Sequence, residues 1–394
     1  MIRLFSLLPT LLLVVVHAQI LLGQAPDTPY PVFSFDMPPE SYQSVVESRG
    51  EKIEVYPASS LLNGEEIEVE RLRVRGKSSL HFPKKSFCVR LASGTRIRLA
   101  GQSKKIAKKF YLMSLSQDLW HFHNRLAFLS MHEIGIFPLY NEYVEVIING
   151  ESQGIYLLLE HPEQYVLKSN DGDFLLRRGN EEQVDDYKAG KHLASKESRA
   201  YLKRFASIQK MCQSKKGERL YQALSQVLDL DSYMKWLAFN YWICNGDYAD
   251  EVFFYSLPQQ AGPLFSILPW DYDDIFYEAP HEGWETRNRE LGSAMIFSSE
   301  DLLGRTIAND PFLYQQYLSI FANMLNQLNQ DKITELFDQI RVELTPLMEL
   351  PYFQEVNPYD KEGRIRAEII SQTMQTKEAY MQQKRTEFLS IFAD

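Results

Sequence analysis

The spacing of apolar residues changes once along this chain, and that change constrains its fold more than any other feature. In the first half, as in 65–75 and 86–91, apolar and polar residues alternate in short runs bounded by turns. In the second half, as in 311–328 and 330–347, apolar residues recur every three to four positions. The first pattern predicts half-buried strands and the second predicts amphipathic helices. The sequence therefore predicts an α+β fold with a β-rich N-terminal lobe and a mainly helical C-terminal lobe.

Two helix starts are predicted from capping residues. A helix over 118–134 interrupts the strands of the first half, with Asp118 as its N-cap. A helix over 231–245 begins at Asp231 as N-cap, and it follows a stretch, 196–228, that is helical in character throughout.

One β-hairpin, predicted over 252–268, lies inside the helical half. Its two strands are almost wholly apolar, which predicts that the hairpin is buried. In an antiparallel pair the start of the first strand and the end of the second meet at the same edge. The acids that flank the hairpin are therefore expected to gather at one place; they are Asp247, Asp250, Glu251, Asp271, Asp273 and Asp274.

Carboxylates held close together repel one another, and they persist where a cation or a proton compensates them. A small set of hard oxygen ligands suits Mg²⁺ or Mn²⁺ held jointly with phosphate. The alternative is a solvated acidic loop without a metal. The buried hairpin and the neighbouring Trp270 favour a functional site.

The stretch 71–109 is rich in Lys and Arg and contains no Asp or Glu, although the net charge of the 394-residue chain is −10. Its turn at Gly76-Lys77-Ser78 offers donors between two predicted strands, and such a tip can cover phosphates. The alternatives are a solvated basic hairpin or a surface for an acidic partner. The acidic balance of the whole chain argues against a general nucleic-acid binder.

A basic strand tip in one lobe, followed by acids around a short hairpin in the other, is the set of parts that protein kinases use for phosphoryl transfer. There a Lys contacts phosphate, one Asp orients the hydroxyl and another Asp holds the metal. The order along the chain agrees. The His-Arg-Asp, Asp-Phe-Gly and complete glycine-rich motifs of ordinary kinases are absent.

At these segments the sequence resembles the CotH family, the spore-coat-protein-H-like atypical kinases. The resembling segments follow the family order between residues 71 and 273, whereas 280–394 carry no matching motif. The segments are Arg73-Val74-Arg75-Gly76-Lys77-Ser78-Ser79, Phe82-Pro83-Lys84-Lys85-Ser86, Asn124-Arg125-Leu126-Ala127, 143–160, Asn245-Gly246-Asp247 and Pro269-Trp270-Asp271-Tyr272-Asp273.

The resemblance implies a bilobed protein-kinase-like fold that uses ATP and Mg²⁺ (or Mn²⁺) to phosphorylate Ser or Thr of a protein substrate. It implies that Asp247 is the catalytic carboxylate and that Asp271 binds the metal. Where family members often carry a second metal ligand, Asn, this chain has Asp250 and Glu251. The nucleotide-binding residues that the resemblance implies are Lys85, with Lys84 as its rival, Ser78, Arg75 and, at the hinge, Glu160.

The first residues predict an exported protein, whether secreted, periplasmic or at the cell surface. Arg3 precedes an apolar run over 11–16, which is typical of a cleaved secretory signal and too short for a membrane span. An uncleaved anchor is the alternative. The predicted organisation is a signal peptide (1–24), a β-rich lobe (25–160) and a helical lobe (161–394) that carries the site hairpin (245–274), with no stable membrane span after cleavage.

Two other functions stay open at this point. A non-catalytic cell-surface or extracellular binding module could use the same scaffold, since an exported protein meets little ATP. A metal-dependent hydrolase could use the same carboxylates, but the sequence offers it neither a nucleophile nor His ligands.

Overall fold

The computed structural model describes residues 28–98, 106–179, 184–249, 252–258, 264–350 and 367–393. Strands dominate the N-terminal part and helices the C-terminal part, which confirms the predicted α+β division. The predicted signal peptide, 1–24, and the candidate ligands Asp250 and Glu251 lie outside the described residues.

A large mixed sheet forms most of the N-terminal part. Its strands are β1 (Val32–Asp36), β2 (Glu54–Val55), β3 (Ser59–Leu62), β4 (Glu65–Glu66), β5 (Val69–Arg75), β6 (Ser86–Leu91), β9 (Lys109–Met113), β10 (Asn141–Ile148) and β11 (Glu151–Glu160). Within the described residues the strand order is β2–β5–β6–β9–β11–β10–β1–β3–β4. A helix, α1 (Pro39–Glu47), follows β1, and a separate short pair is made by β7 (Arg96–Ile97) and β8 (Ile106–Ala107).

The central hairpin β10–β11 packs against two hydrophobic cores. Val144 and Leu158 face the core of the N-terminal part, while Tyr143 and Leu157 face the core shared with the helices. Successive residues of a strand point to opposite faces, so a strand that is apolar at every position is buried on both. The hairpin therefore joins the two parts of the molecule.

The C-terminal part is built from helices around a four-stranded sheet. The helices are α2 (His123–Glu133, which lies between β9 and β10), α3 (Ser195–Ser214), α4 (Gly217–Ser225), α5 (Leu230–Trp242), α6 (Gly283–Leu291), α7 (Leu302–Asn309), α8 (Pro311–Gln327), α9 (Gln330–Met348) and α10 (Ala367–Ala393). The sheet has the order β13 (Val184–Ala189), β12 (Phe174–Arg178), β14 (Phe253–Ser256) and β15 (Ser266–Leu268). Among the described residues, no helix combines the length and the apolar character that crossing a membrane requires.

The helix predicted over 118–134 begins later, at His123. His121 adopts a left-handed backbone with φ of 63°, which ends any helix that approaches from Asp118. Asp118 still caps the helix, since its carboxylate accepts hydrogen bonds from the backbone N–H groups of His123 and Asn124.

Two further boundaries differ from the sequence prediction. The helical stretch predicted over 196–228 is two helices, because Lys215 and Lys216 between them have an extended backbone. The N-cap of α5 is Asp229, not Asp231: its carboxylate accepts from Ser232 N at 3.2 Å and from Ser232 Oγ at 2.7 Å. Asp231 lies in the first turn of that helix.

Candidate active site

A cleft of about 1030 Å³ is lined by residues of both parts of the molecule. One wall comes from β5, the turn after it, β6 and β9. The other comes from the segment before α2 and from the segments on either side of the β14–β15 hairpin. Four predicted site residues line this cleft together: Arg75, Ser78, Asp247 and Asp271.

The predicted hairpin is present, and it sets the position of the acidic wall. Phe253 pairs with Leu268, so the start of β14 and the end of β15 lie side by side. Asp247 precedes the first of these strands and Asp271 follows the second. The antiparallel pairing thus carries both segments to the same edge of the sheet, as the sequence predicted.

Backbone hydrogen bonds join the two acidic segments directly. Gly246 N donates to Asp274 O at 3.0 Å, and Phe276 N donates to Ile243 O at 2.7 Å. A side chain at position 246 would crowd this contact, because a Cβ there would lie 3.0 Å from Asp274 Oδ2. The segment that carries Asp247 is therefore fixed relative to the segment that begins at Asp271.

Asp271 and Asp273 form a crowded carboxylate pair in the cleft. Desolvation and the adjacent Asp271 carboxyl, which lies within hydrogen-bonding distance, raise the pKa of Asp273 well above its usual range. Asp118 and Asp274 add to the same effect. Asp271 also has a left-handed backbone, with φ of 61°, a conformation that L-residues adopt at a cost. A cation bound between these carboxyls would favour their ionised forms.

The first turn of α2 supports this pair. Asn124 Oδ1 accepts a hydrogen bond from Tyr272 N at 3.1 Å, between the two acids. Asp118 is almost fully buried and accepts from Asn124 N at 2.9 Å. Burial raises the pKa of Asp118 to about 7. Both residues line the cleft, although the sequence had given Asp118 a capping role alone.

The carboxylates of this wall are suitable ligands for a divalent cation that phosphate oxygens also bind. No group of three or more His, Cys, Asp or Glu side chains in the described residues is arranged as a metal site. Mg²⁺, however, is commonly held by one or two carboxylates, with phosphate and water oxygens in its remaining positions. The Asp271–Asp273 pair supplies the two carboxylates.

The opposite wall is basic because strands β5, β6 and β9 turn alternate residues toward the cleft. Leu72 and Val89, like every second residue along these strands, face the N-terminal core. The alternating residues on the other face line the cleft; they are Arg71, Arg73 and Arg75 on β5, Ser86, Cys88 and Arg90 on β6, and Lys109, Tyr111 and Met113 on β9. Positive charge and an aromatic ring therefore share one surface.

Aromatic rings surround the inner end of this basic wall. The Arg75 guanidinium lies 4.3 Å from the centre of the Tyr111 ring and 5.9 Å from that of Trp270. The His161 ring lies 4.6 Å from the Tyr111 ring, and burial lowers the pKa of His161 to about 3. A neutral imidazole beside Tyr and Trp rings forms an aromatic surface next to the Arg75 cation.

The turn after β5 contains a tightly packed glycine, Gly76. Its φ is +128°, and a Cβ there would overlap Ser79 Oγ. Lys77, Ser78 and Ser79 follow it and line the cleft. The turn therefore contributes hydroxyl and amine groups to the lining of the cleft.

Three predicted nucleotide-binding residues are not brought to this cleft. The Lys85 ammonium is buried and donates to Ser48 O at 2.8 Å and to Leu80 O at 2.6 Å. The Lys84 ammonium donates to Ile155 O at 2.5 Å and lies 4.4 Å from the Tyr156 ring centre. Glu160 is buried at the end of β11.

Strand alternation explains the position of Lys85. Ser86 faces the cleft and Phe87 faces the core, so Lys85, one residue before Ser86, falls on the core side. Burial also lowers the pKa of Lys84 to about 7. Arg75 and Lys77 are among the cations that line the cleft in place of these two lysines.

A protein-family model described as CotH kinase protein matches residues 72–384, most of the chain. This chain belongs to the CotH kinase family. A curated relative, the inner spore coat protein H of Bacillus subtilis (strain 168), is 22% identical over 341 residues, which cover 81% of this chain and 89% of that protein.

The CotH match extends well beyond the segments in which the sequence showed motifs. It includes both walls of the cleft and continues through α6–α9 into α10. The region after residue 280, where no motif was evident, thus belongs to the CotH domain as well. Within this region, His281 contacts Asp247, and Asp301 forms an ion pair with Arg178.

Proposed function

We propose that this CotH-family protein is an exported protein kinase that transfers the γ-phosphoryl group of ATP to Ser or Thr of a protein substrate with the aid of Mg²⁺ or Mn²⁺. The observation that carries the proposal is that Asp247 and Asp271 line one cleft with Arg75 and Ser78. A kinase-like bilobed arrangement, with 25–160 and 161–394 as the two lobes, is part of the proposal.

The metal would lie at the Asp271–Asp273 pair, where it would neutralise charge on the transferring phosphoryl group. The raised pKa of Asp273 supports this placement, because a cation between the two carboxylates replaces their mutual repulsion with attraction. Asp250 and Glu251 stay candidate ligands that precede β14.

The nucleotide would lie against the basic wall. Arg75, Lys77 and Ser78 are donors suited to phosphate oxygens, and the turn at Gly76 exposes its backbone to them. The Tyr111 and His161 rings would contact the nucleobase. The basic wall thus offers donors for phosphate and aromatic rings for the base.

Asp247 would accept the hydrogen bond of the acceptor hydroxyl. Its side chain is about half exposed at the cleft, so a substrate can reach it, and the segment that carries it is tied to the metal-binding segment. Holding hydroxyl, phosphoryl group and metal in fixed geometry supplies most of the rate in phosphoryl transfer.

An extracellular or surface location is proposed on two grounds. The curated relative is named a spore coat protein, and the N-terminal sequence has the pattern of a secretory signal.

The transfer of γ-labelled ATP tests the proposal. With Mg²⁺ or Mn²⁺, the purified protein is expected to label itself or a serine-rich acceptor such as dephosphorylated casein, and a chelator is expected to abolish labelling. Acid hydrolysis of the product should yield phosphoserine or phosphothreonine. Failure to label either acceptor with either metal would contradict the kinase assignment.

A non-catalytic binding module is the second candidate, favoured by the structural name of the coat-protein relative. The two functions differ in one outcome. A binding module would withstand the loss of Asp247 without any change in its interactions, whereas a kinase would lose its activity.

A further inference from the structure

His281 lies between the proposed catalytic acid and a second carboxylate. Its Nε2 is 2.6 Å from Asp274 Oδ2, and its Nδ1 is 3.6 Å from Asp247 Oδ1. It follows the acidic segment in sequence, and its backbone N–H donates to Gly246 O at 3.4 Å. The imidazole therefore joins the two segments that flank the hairpin, beside the proposed reaction centre.

The two contacts differ in length, and the shorter one favours a proton on Nε2. A hydrogen must lie in the 2.6 Å contact, and Nε2–H donates it when Asp274 is ionised. In the neutral ring Nδ1 then carries a lone pair, and that lone pair faces Asp247. The separation of 3.6 Å is slightly longer than a hydrogen bond, as is usual for catalytic contacts before substrate is bound.

The surroundings hold the ring in this orientation. Tyr277 makes an edge-to-face contact with it at 5.8 Å between ring centres. Gly246 allows the close packing, since a Cβ there would lie 3.0 Å from Asp274 Oδ2 and 3.2 Å from Tyr277 Cδ1. The charged and titratable groups against the ring are Asp247 before the hairpin and Asp274 and Tyr277 after it.

We propose that His281 positions the Asp247 carboxylate. It then takes from Asp247 the proton that Asp247 has accepted from the substrate hydroxyl. This inference rests on the proposed kinase function. The structure gives the arrangement Asp274–His281–Asp247, in which one carboxylate fixes the tautomer and the other exchanges a proton with the ring.

The proton balance of the step is complete. The acceptor oxygen forms a bond to the γ-phosphorus while the bond from that phosphorus to the β,γ-bridging oxygen breaks, and its electron pair stays on ADP. The hydroxyl proton passes to Asp247 and from there to Nδ1 of His281. The ring, which is about two-fifths exposed, then releases a proton to water and returns to its neutral form.

His281→Ala and His281→Gln test the inference in the labelled-ATP assay. Gln retains a donor for Asp274 but cannot accept a proton from Asp247. His192→Ala is the matched control, because His192 makes a similar half-exposed contact, 2.8 Å to Asp173, away from the cleft. Each variant is assayed with and without added imidazole, and Asp247→Ala is assayed in the same way.

Both His281 variants are expected to lower kcat about tenfold or more with the KM for ATP unchanged. Imidazole should restore part of the rate of His281→Ala and none of the rate of Asp247→Ala. A purely structural role would instead lower the folded fraction and show no rescue.

The inference is overturned if His281→Ala keeps the wild-type kcat, or if His281→Gln restores it fully. It is also overturned if imidazole has no effect on a folded, slowed His281→Ala variant. A wild-type protein that transfers no label would refute the kinase proposal itself, and the inference with it.

Discussion

Asp247→Asn is expected to slow labelled-phosphate transfer by about 10²–10⁴-fold, the range found when a general base is removed. Asn keeps the shape of the side chain, and the backbone contacts that fix the segment do not depend on its charge. The variant cannot accept the hydroxyl proton, so the transferring step loses its orienting and proton-accepting group. Nucleotide binding should stay close to wild type, because Arg75, Lys77 and Asp271 are intact.

The control for this prediction is Asp186→Asn. Asp186 is an exposed carboxylate on β13, outside the cleft, and it pairs with Lys188. That variant should transfer label at the wild-type rate. Equal, measurable rates for Asp247→Asn and wild type would remove Asp247 from the mechanism, whereas absence of transfer by the wild type would favour the binding module.

Arg178→Met is expected to destabilise the protein by about 3–5 kcal/mol, the cost of leaving one member of a buried ion pair unpaired. Arg178 Nη1 donates to Asp301 Oδ1 at 3.0 Å, and the two side chains are 5% and 1% exposed. Asp301 also accepts from Tyr233 Oη and from Gly304 N, where it caps α7. Met would fill much of the volume but leave this carboxylate uncompensated.

The same arginine holds the segment after Asp247. Its Nη2 donates to Ala249 O at 2.7 Å, and its backbone N–H donates to Val252 O at 2.9 Å. Because these contacts hold the backbone shortly after Asp247, the variant should also lose more transfer activity than its unfolded fraction explains.

Urea unfolding measures the stability effect as a change in midpoint at constant m. The double variant Arg178→Met/Asp301→Asn should recover part of the lost stability. It removes the unpaired Asp301 charge and keeps a side-chain oxygen for the helix cap. Arg289→Met, which removes one partner of an exposed pair, should change stability by no more than about 0.5 kcal/mol. A loss below about 1 kcal/mol for Arg178→Met would show that the buried pair does not hold the fold.

The sequence was sufficient where local pattern determines structure. The alternation in 86–91 predicted β6 with its bounds. The buried hairpin flanked by acids was evident for the same reason, since apolar runs and antiparallel geometry together place Asp247 and Asp271 at one edge.

Contacts between distant segments were not evident. Arg178 and Asp301 are 123 residues apart, and nothing near either residue indicates the pair. Nothing near His281 in the sequence indicates its contacts, because its two carboxylate partners come from different sides of the hairpin. The left-handed turn at His121, which moves Asp118 into the cleft, likewise depends on tertiary packing rather than on capping preference.

The position of Lys85 could have been predicted from strand alternation. The resemblance suggested a lysine ahead of β6, whereas strand alternation puts position 85 on the face of Phe87. Applied to the same strands, that rule selects Arg75 and Tyr111 for the cleft.

Titration of ATP into the protein, with and without Mg²⁺, tests the central claim that this cleft holds a metal–nucleotide complex. The account predicts that ATP with Mg²⁺ at 100 times its Kd stabilises the wild type by about 2.7 kcal/mol. It also predicts that Asp271→Asn loses the Mg²⁺-dependent part of this stabilisation and keeps the rest. No stabilisation of the wild type by ATP with either Mg²⁺ or Mn²⁺, or an undiminished Mg²⁺ effect in Asp271→Asn, would contradict the account.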